Sequence, residues 1–286
     1  MKNLKSQIDK YLKKLMPNNL YDIHAASSPK HAHAQNRAYG WHQSTRATPH
    51  PRYAMPAEHA AVHLPASVDL TPECPAVYDQ GQLGSCTANA LGALFQFLLN
   101  KQGRPSFVPS RLMIYWGERA SEGTKDQDAG ANGDDGMTFL QTKGVCPETT
   151  WPYDPTKFAV IPPPIAWSEA AQHKIADPVT IDNTNLDEIR SCLANGYPIA
   201  FGFVAYPDLE SEKVATTGHL PMPTTGEQPI GGHEVLMVGY DDATKLFKVR
   251  NSWGPGWGLD GYFLMPYAYA TNPKLAGDFR SAKLAS

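Results

Sequence analysis

The 286-residue chain is long enough for one large domain or two small ones, and its 42% hydrophobic content supplies a sizeable core. With 25 Lys+Arg against 28 Asp+Glu the net charge is -3, which leaves no basic footprint for nucleic acid. The 23 Gly and 25 Pro argue for a loop-rich architecture over a helical bundle, and no run approaches the ~18 apolar residues of a membrane span.

Residues 1 to about 64 differ from the rest. Leu4, Ile8, Leu12 and Leu15 would line one face of a short lysine-rich helix, an apolar face too weak to hold a membrane surface. Charges every two to four positions over residues 1–16 are incompatible with the apolar stretch of a secretory signal, which leaves the compartment open between cytoplasm and another export route. Residues 21–64 are rich in His, Ala, Ser and Pro, and such a segment builds no core of its own. It holds His24, His31, His33, His42, His50, His59 and His63, but His31-Ala-His33 lacks the further ligands a metal site needs.

The compact domain is expected to start near Leu64. Residues 79–85 are turn chemistry, with two glycines and a serine placed to cap a helix. From Cys86, apolar residues recur at Leu91, Leu94, Phe95, Leu98 and Leu99, the rhythm of a helix face, and the intervening positions are small or apolar as well. A helix apolar on every side is buried. Cys86 thus opens an inner helix, where the macrodipole favours thiolate over thiol, although a buried free cysteine also serves as a plain small hydrophobe. Gly103 ends the helix. A second helix is predicted over 110–119 with Leu112, Met113 and Trp116 inward, and a third over 136–143. The acidic run 126–136 between them mimics a calcium loop but has Gly130 at position five and Met137 where a bidentate Glu belongs, so it is read as a solvated loop.

Prolines between residues 153 and 167 mark a crossing between two halves. Beyond it a helix is predicted over 186–194 and strands over 198–204, 233–240, 246–252 and 261–265. A helical first half and a β-rich second half make an α+β chain with two lobes. Residues 241–245 turn the chain. A three-residue loop centred on Asp242 would place His233 opposite Asn251, within side-chain hydrogen-bonding reach. There is no CxxC pair for structural zinc, and no metal or cofactor is expected. If Cys86 is free, Cys74, Cys146 and Cys192 allow at most one disulfide, and whether Cys74 joins Cys146 stays open.

Gln80 six residues before Cys86, the Gly84-Ser85-Cys86 string, His233 ahead of an apolar strand, and Asn251-Ser-Trp253-Gly-Pro-Gly-Trp257-Gly-Leu-Asp-Gly-Tyr262 together resemble the papain-like cysteine proteases, in their bacterial branch. The Cys86-to-His233 separation falls within the ~130–150 residues of that signature, and Asn251 lies a little farther. The likeness runs from about residue 64 to 265. It implies a papain-like two-lobed fold, a helical left lobe over about 65–160 and a β-barrel-like right lobe over about 161–286, with the active-site cleft between.

The resemblance assigns roles residue by residue. Cys86 would be the nucleophile, His233 the base and acid, Asn251 its orienter, and Gln80 an oxyanion donor beside the Cys86 backbone N–H. Gly130, Gly133 and Gly232 would hold substrate, with Trp253 shielding the Asn251–His233 bond and Trp257 bordering the leaving-group side. Two positions depart from the family: Leu83 replaces a disulfide cysteine, and Thr87 replaces the aromatic that follows the nucleophile. The strand over 199–204 is read as core ahead of an apolar subsite. Residues 1–64 would be an autoinhibitory pro-segment in the cleft, anchored by Tyr39-Gly-Trp41 and loosened when its histidines protonate near pH 6. The partners implied are peptide or protein substrates and the chain's own N-terminal segment, on a monomer, without nucleic acid or membrane. Other readings are a papain-fold aminopeptidase, a non-peptidase acyl hydrolase and a binding protein.

Overall fold

The run that opens on Cys86 forms the longest helix of the first lobe, α1 (Cys86–Lys101), and every residue from Cys86 to Leu99 is buried. The computed structural model describes residues 37–57 and 64–285, which lie in one compact unit. The predicted helix over the first sixteen residues and the His31/His33 pair fall outside the described residues.

Ser85 occupies the N-cap position, but its side chain caps nothing. Its hydroxyl is taken by Tyr153 at 2.6 Å and by the Asn89 amide at 3.1 Å, so the expected cap becomes a strut between loop and helix. Helix α2 (Arg111–Glu122) starts one residue later than predicted because Ser110 serves as its cap, accepting from the Met113 N–H. Leu112 and Met113 are buried, and Trp116 is half-buried.

Helix α3 (Gly133–Thr142) starts earlier than predicted. The Asn132 side chain caps it, and Asp134 and Asp135 sit in its first turn, where the macrodipole favours carboxylates. Both aspartates are buried, which corrects the reading of the whole acidic run as solvated. Asp134 is held there by Arg280, whose Nε donates to it at 2.8 Å. After the proline-rich crossing come α4 (Pro164–Ala170) and α5 (Leu186–Ala194), the latter with the bounds predicted.

The second lobe is an antiparallel sheet of β1 (Ser67–Asp69), β2 (Ile175–Thr180), β3 (Ile199–Ala205), β4 (Gly231–Asp241), β5 (Leu246–Arg250), β6 (Tyr262–Pro266) and β7 (Ala276–Leu284). Its order is β2-β7-β3-β4-β5-β6, with β1 paired to β4. Strands β1 and β2 have no counterpart among the expected strands, and neither has β7. Asp278, Arg280 and Ser281 break its apolar alternation, yet Arg280 and Ser281 are buried and satisfied, Ser281 by the Pro198 carbonyl at 2.8 Å. Phe201 and Phe203 of β3 are buried among aromatic rings, in keeping with a core strand.

The β4–β5 hairpin departs from the expected register. Pairing starts at Asp241↔Leu246, leaving 242–245 as the loop, and the register shifts between Met237 and Gly239. The ladder ends at Leu236↔Arg250, short of His233 and Asn251. His233 is paired instead with Phe203 of β3. Its approach to Asn251 depends on the chain leaving β5 after Arg250. Together α1 and β4 put the first residue of the one near the first residues of the other, and this junction carries the site.

Candidate active site

Cys86 is free and fully buried at the start of α1. The loop before it is braced from several sides. The Gln80 N–H donates to the Ser252 carbonyl at 2.9 Å, and Ser252 Oγ donates to Gln80 Oε1 at 2.6 Å. With its oxygen so held, the Gln80 amide must aim its Nε2 donor along one direction. That nitrogen donates to the Leu83 carbonyl at 3.0 Å and to the Ala38 carbonyl at 3.3 Å. Tyr153 donates to the Gln80 carbonyl at 2.9 Å, and Arg111 ties Asn89 of α1 to Glu148 at 2.9 and 2.7 Å.

His233 Nε2 lies 2.8 Å from Asn251 Oδ1. The Ser252 N–H also donates to that Oδ1 at 2.8 Å, which identifies the atom as the amide oxygen. An oxygen acceptor requires Nε2 to carry the proton, so the neutral ring presents an unprotonated Nδ1. That Nδ1 is buried without a partner. Trp253 stacks on the imidazole with centroids 5.1 Å apart, and Trp257 meets Trp253 edge-on at 5.0 Å. Trp253 thereby covers one face of the imidazole, and Trp257 backs Trp253.

Residues 37–42 run through this junction. The Trp41 N–H donates to the Gly232 carbonyl at 2.9 Å, while the Ala131 N–H donates to the Gly40 carbonyl at 2.7 Å and the His42 N–H to the Ala131 carbonyl at 3.3 Å. Trp41 and Ala131 are thereby paired in parallel. Gly40 is wedged between two loops. A Cβ there would lie 1.7 Å from the Gly84 carbonyl oxygen, and a Cβ on Gly130, whose φ is +73°, would lie 2.1 Å from the Gly40 carbonyl oxygen. Tyr39 meets the His233 ring edge-on at 5.9 Å and donates to Glu210 at 2.6 Å. Arg37 lies over Trp253, 5.2 Å from its centroid.

Burial pushes the Cys86 thiol up to about 12, against the pull of the backbone N–H groups of Glu234 and Gly40. Burial likewise drives His233 down to about 4, with the Asn251 bond working the other way. Beneath the segment the pair is therefore thiol and neutral imidazole across the intervening pH range.

Cys86, His233, Asn251, Gln80, Trp253 and Trp257 all converge on this junction. Gly130 and Gly232 line it, with Gly232 supplying its carbonyl. Gly133 does not face the segment's backbone: a Cβ on it would meet Arg280 and Glu234. Ala131, Ser252 and Tyr153 contribute without having been singled out from sequence. Ser252 adjoins Asn251, and its hydroxyl was the one readable hint. Thr87 donates to Glu118 at 2.7 Å, a buried carboxyl pushed well above the usual carboxylate range by its burial. All four cysteines are free, so Cys74 and Cys146 are not joined.

Residues 64–277 match the papain family cysteine protease domain. An uncharacterized peptidase C1-like protein of Acanthamoeba polyphaga mimivirus is 44% identical over 216 residues, 73% of this chain and 70% of its own. Xylellain, a cysteine protease from Xylella fastidiosa, superposes with a TM-score of 0.81 at 39% identity, over 88% of this chain and 98% of that one. Procathepsin L2 proteinase from Tenebrio molitor larval midgut shares the fold, with a TM-score of 0.69 at 19% identity over 99% and 89%. The geometry around Cys86 and the extent of these matches agree, and the chain belongs to the papain family of cysteine proteases.

Proposed function

We propose that the protein hydrolyses peptide bonds through Cys86, His233, Asn251 and Gln80, and that residues 37–57 hold it inactive as part of a pro-segment over about 1–64. The peptidase domain then covers 65–286. The observation that carries this reading is the fixed tautomer of His233: Nε2 keeps its proton and donates it in a hydrogen bond to Asn251 Oδ1, which leaves Nδ1 unprotonated as a base. With the leader gone, Nδ1 takes the thiol proton, and the thiolate beside the imidazolium attacks the substrate carbonyl carbon. The oxyanion is met by Gln80 Nε2 and the Cys86 N–H. The proton passes from Nδ1 to the leaving amine, and a water molecule, deprotonated by the same nitrogen, hydrolyses the thioester.

The leader's position supports the inhibitory role. The Ala38 carbonyl occupies the donor Nε2 of Gln80, Gly40 covers the sulfur, and Trp41 takes the Gly232 carbonyl. Farther along, Arg46 pairs with Asp135, Thr48 donates to Asp134 at 3.0 Å, and Arg52 reaches Glu188 at 2.6 Å.

The Gly40 wedge gives a direct test. Gly40→Ala leaves the peptidase domain untouched but adds a methyl where the Gly84 carbonyl already stands. Overpacking of this kind costs typically ~1–3 kcal/mol, which unseats the leader by up to about 100-fold. Full-length G40A should hydrolyse a fluorogenic peptide up to about 100-fold faster than full-length wild type, with chain length checked by mass spectrometry. Equal rates would contradict the inhibitory role.

Protonation of His42 works against leader release. Its pKa is raised, chiefly by the bond to Glu122 at 3.2 Å. This contribution is fully present below the ordinary histidine value and fades as pH rises through the raised one. The expected loosening by histidine protonation is therefore not carried by His42; it falls to groups such as His50, whose pKa burial lowers, so that its protonation at acid pH favours release.

A further inference from the structure

Trp41 fills a pocket whose walls are set by sheet register. Gly202 of β3 is paired with Glu234 of β4, so their substituents share one face, and Gly232 shares that face at two residues' spacing. A Cβ on Gly202 would lie 1.9 Å from the Trp41 ring, and one on Gly232 2.7 Å from it. The indole therefore lies flat on two glycines, beside Glu234. Its N–H donates to Asp278 Oδ2 of the adjoining β7 at 3.2 Å, and the Ser44 N–H donates to the same oxygen at 3.0 Å.

The charges at the end of this pocket do not balance. Arg280 is engaged by Asp134 at 2.8 Å, by the Asp278 carbonyl at 2.5 Å and by Asp278 Oδ1 at 3.3 Å. Glu234 is fully buried, and neither of its side-chain oxygens has a hydrogen-bond partner. Gly133 allows this approach, since a Cβ there would lie 2.7 Å from Arg280 Nη1 and 2.8 Å from Glu234 Oε1. When the leader departs, Asp278 Oδ2 loses both of its leader donors and Glu234 still has none.

We infer that the pocket vacated by Trp41 is a substrate subsite selective for a long cationic side chain, arginine above all, whose guanidinium donates to Glu234 and Asp278. This rests on the peptidase reading above. Arginine fits on three counts. Its planar head matches carboxylates bidentately, its stem lies along the glycine floor as the indole does, and its charge restores the balance that Arg280 leaves unmet. Burial holds the Glu234 carboxyl up to about 8 under the leader, and an incoming cation would ionise it. An apolar side chain would bury the same carboxyl without a partner.

The test uses full-length protein folded first, then cut at a protease site inserted between residues 58 and 63, with the leader washed away and active sites counted by a thiol-directed peptidyl epoxide. A fluorogenic peptide library is varied at each position from four before to two after the scissile bond. At one position arginine should exceed leucine and tryptophan by about tenfold or more in kcat/KM, the size of one charge-assisted hydrogen bond. Glu234→Gln, which keeps volume, should reduce that ratio about tenfold, and Asp278→Asn should reduce it in the same direction if E234Q fails to fold. Preference for leucine or tryptophan throughout overturns the inference while leaving the peptidase reading intact. An arginine preference unmoved in a folded variant overturns the assignment to this pocket. Absence of both labelling and cleavage overturns the peptidase reading, and the inference with it.

Discussion

Cys86→Ser should lower kcat/KM of the leader-free protein by about 10⁴-fold or more, the scale on which losing a nucleophile in a nucleophile–base pair acts. The substitution changes one atom in a fully buried position, so the packing at the start of α1 is preserved. What it removes is the thiol whose conjugate base an adjacent imidazolium would stabilise once the leader has gone. A serine hydroxyl at the same place is a far weaker acid, so it stays protonated beside the imidazole and offers no preformed anion. Cys192→Ser is the matched control. Cys192 is equally buried and its thiol is likewise pushed up to about 12, yet its polar partners are the Tyr197 carbonyl at 3.6 Å and the Ser281 side chain, with no imidazole among them. Its activity per folded molecule should stay within about twofold of wild type, since it touches nothing that reacts. Equal losses in the two variants would show that cysteine burial, and not position, is what matters. Fluorogenic peptide hydrolysis, with folded fraction read by circular dichroism, distinguishes the outcomes.

Gln80→Ala should cost about 10²–10³ in kcat with little change in KM, as expected when one preorganised oxyanion donor is lost. The amide is held tightly before any substrate binds. Ser252 Oγ fixes the oxygen at 2.6 Å, and the backbone on either side is tied to the Ser252 carbonyl and to Tyr153. A donor aimed before the substrate arrives needs no reorganisation when charge develops. The leader itself marks the direction of this donor, because the Ala38 carbonyl accepts from it at 3.3 Å. Ser252→Ala, which frees the amide to rotate, should lose activity in the same direction by less. Steady-state kinetics with one peptide substrate give both values, and a KM effect alone in Q80A would assign the residue to ground-state binding.

Much of this site was legible because each of its elements has a strong local signal. The continuous apolar run after Cys86 could only be an inner helix, and α1 is buried along nearly its whole length. The apolar strands β3 and β4 declared themselves for the same reason. The parts that escaped are polar ones satisfied by distant partners. Strand β7 reads as a loop until Arg280 is seen bonded to Asp134 on the other lobe. The first turn of α3 reads as solvated until Asn132 and Arg280 are seen holding its aspartates.

The hairpin shows a subtler failure. A three-residue loop would set His233 opposite Asn251, whereas the ladder opens at Asp241↔Leu246 and carries an irregularity, so that opposition does not occur. Their hydrogen bond forms all the same, because the backbone leaves β5 after Arg250 and the Asn251 oxygen is oriented by the next N–H. Cross-strand register and side-chain proximity are separate facts, and only the former follows from loop length. Ala131 escaped for another reason. Its role is backbone pairing, which carries no side-chain signature.

The proposed chemistry requires a thiolate–imidazolium pair between Cys86 and His233 once the leader has gone. The most direct measurement is the pH dependence of Cys86 alkylation by a neutral haloacetamide, followed by mass spectrometry on full-length, leader-free and leader-free His233→Ala protein. The leader-free protein should react with an inflection several units below the ordinary thiol value of 9.0. The full-length protein should resist reaction, and His233→Ala should return the inflection toward that ordinary value. An inflection near the ordinary thiol value in the leader-free protein, unchanged by His233→Ala, would contradict the pairing on which the proposed chemistry depends.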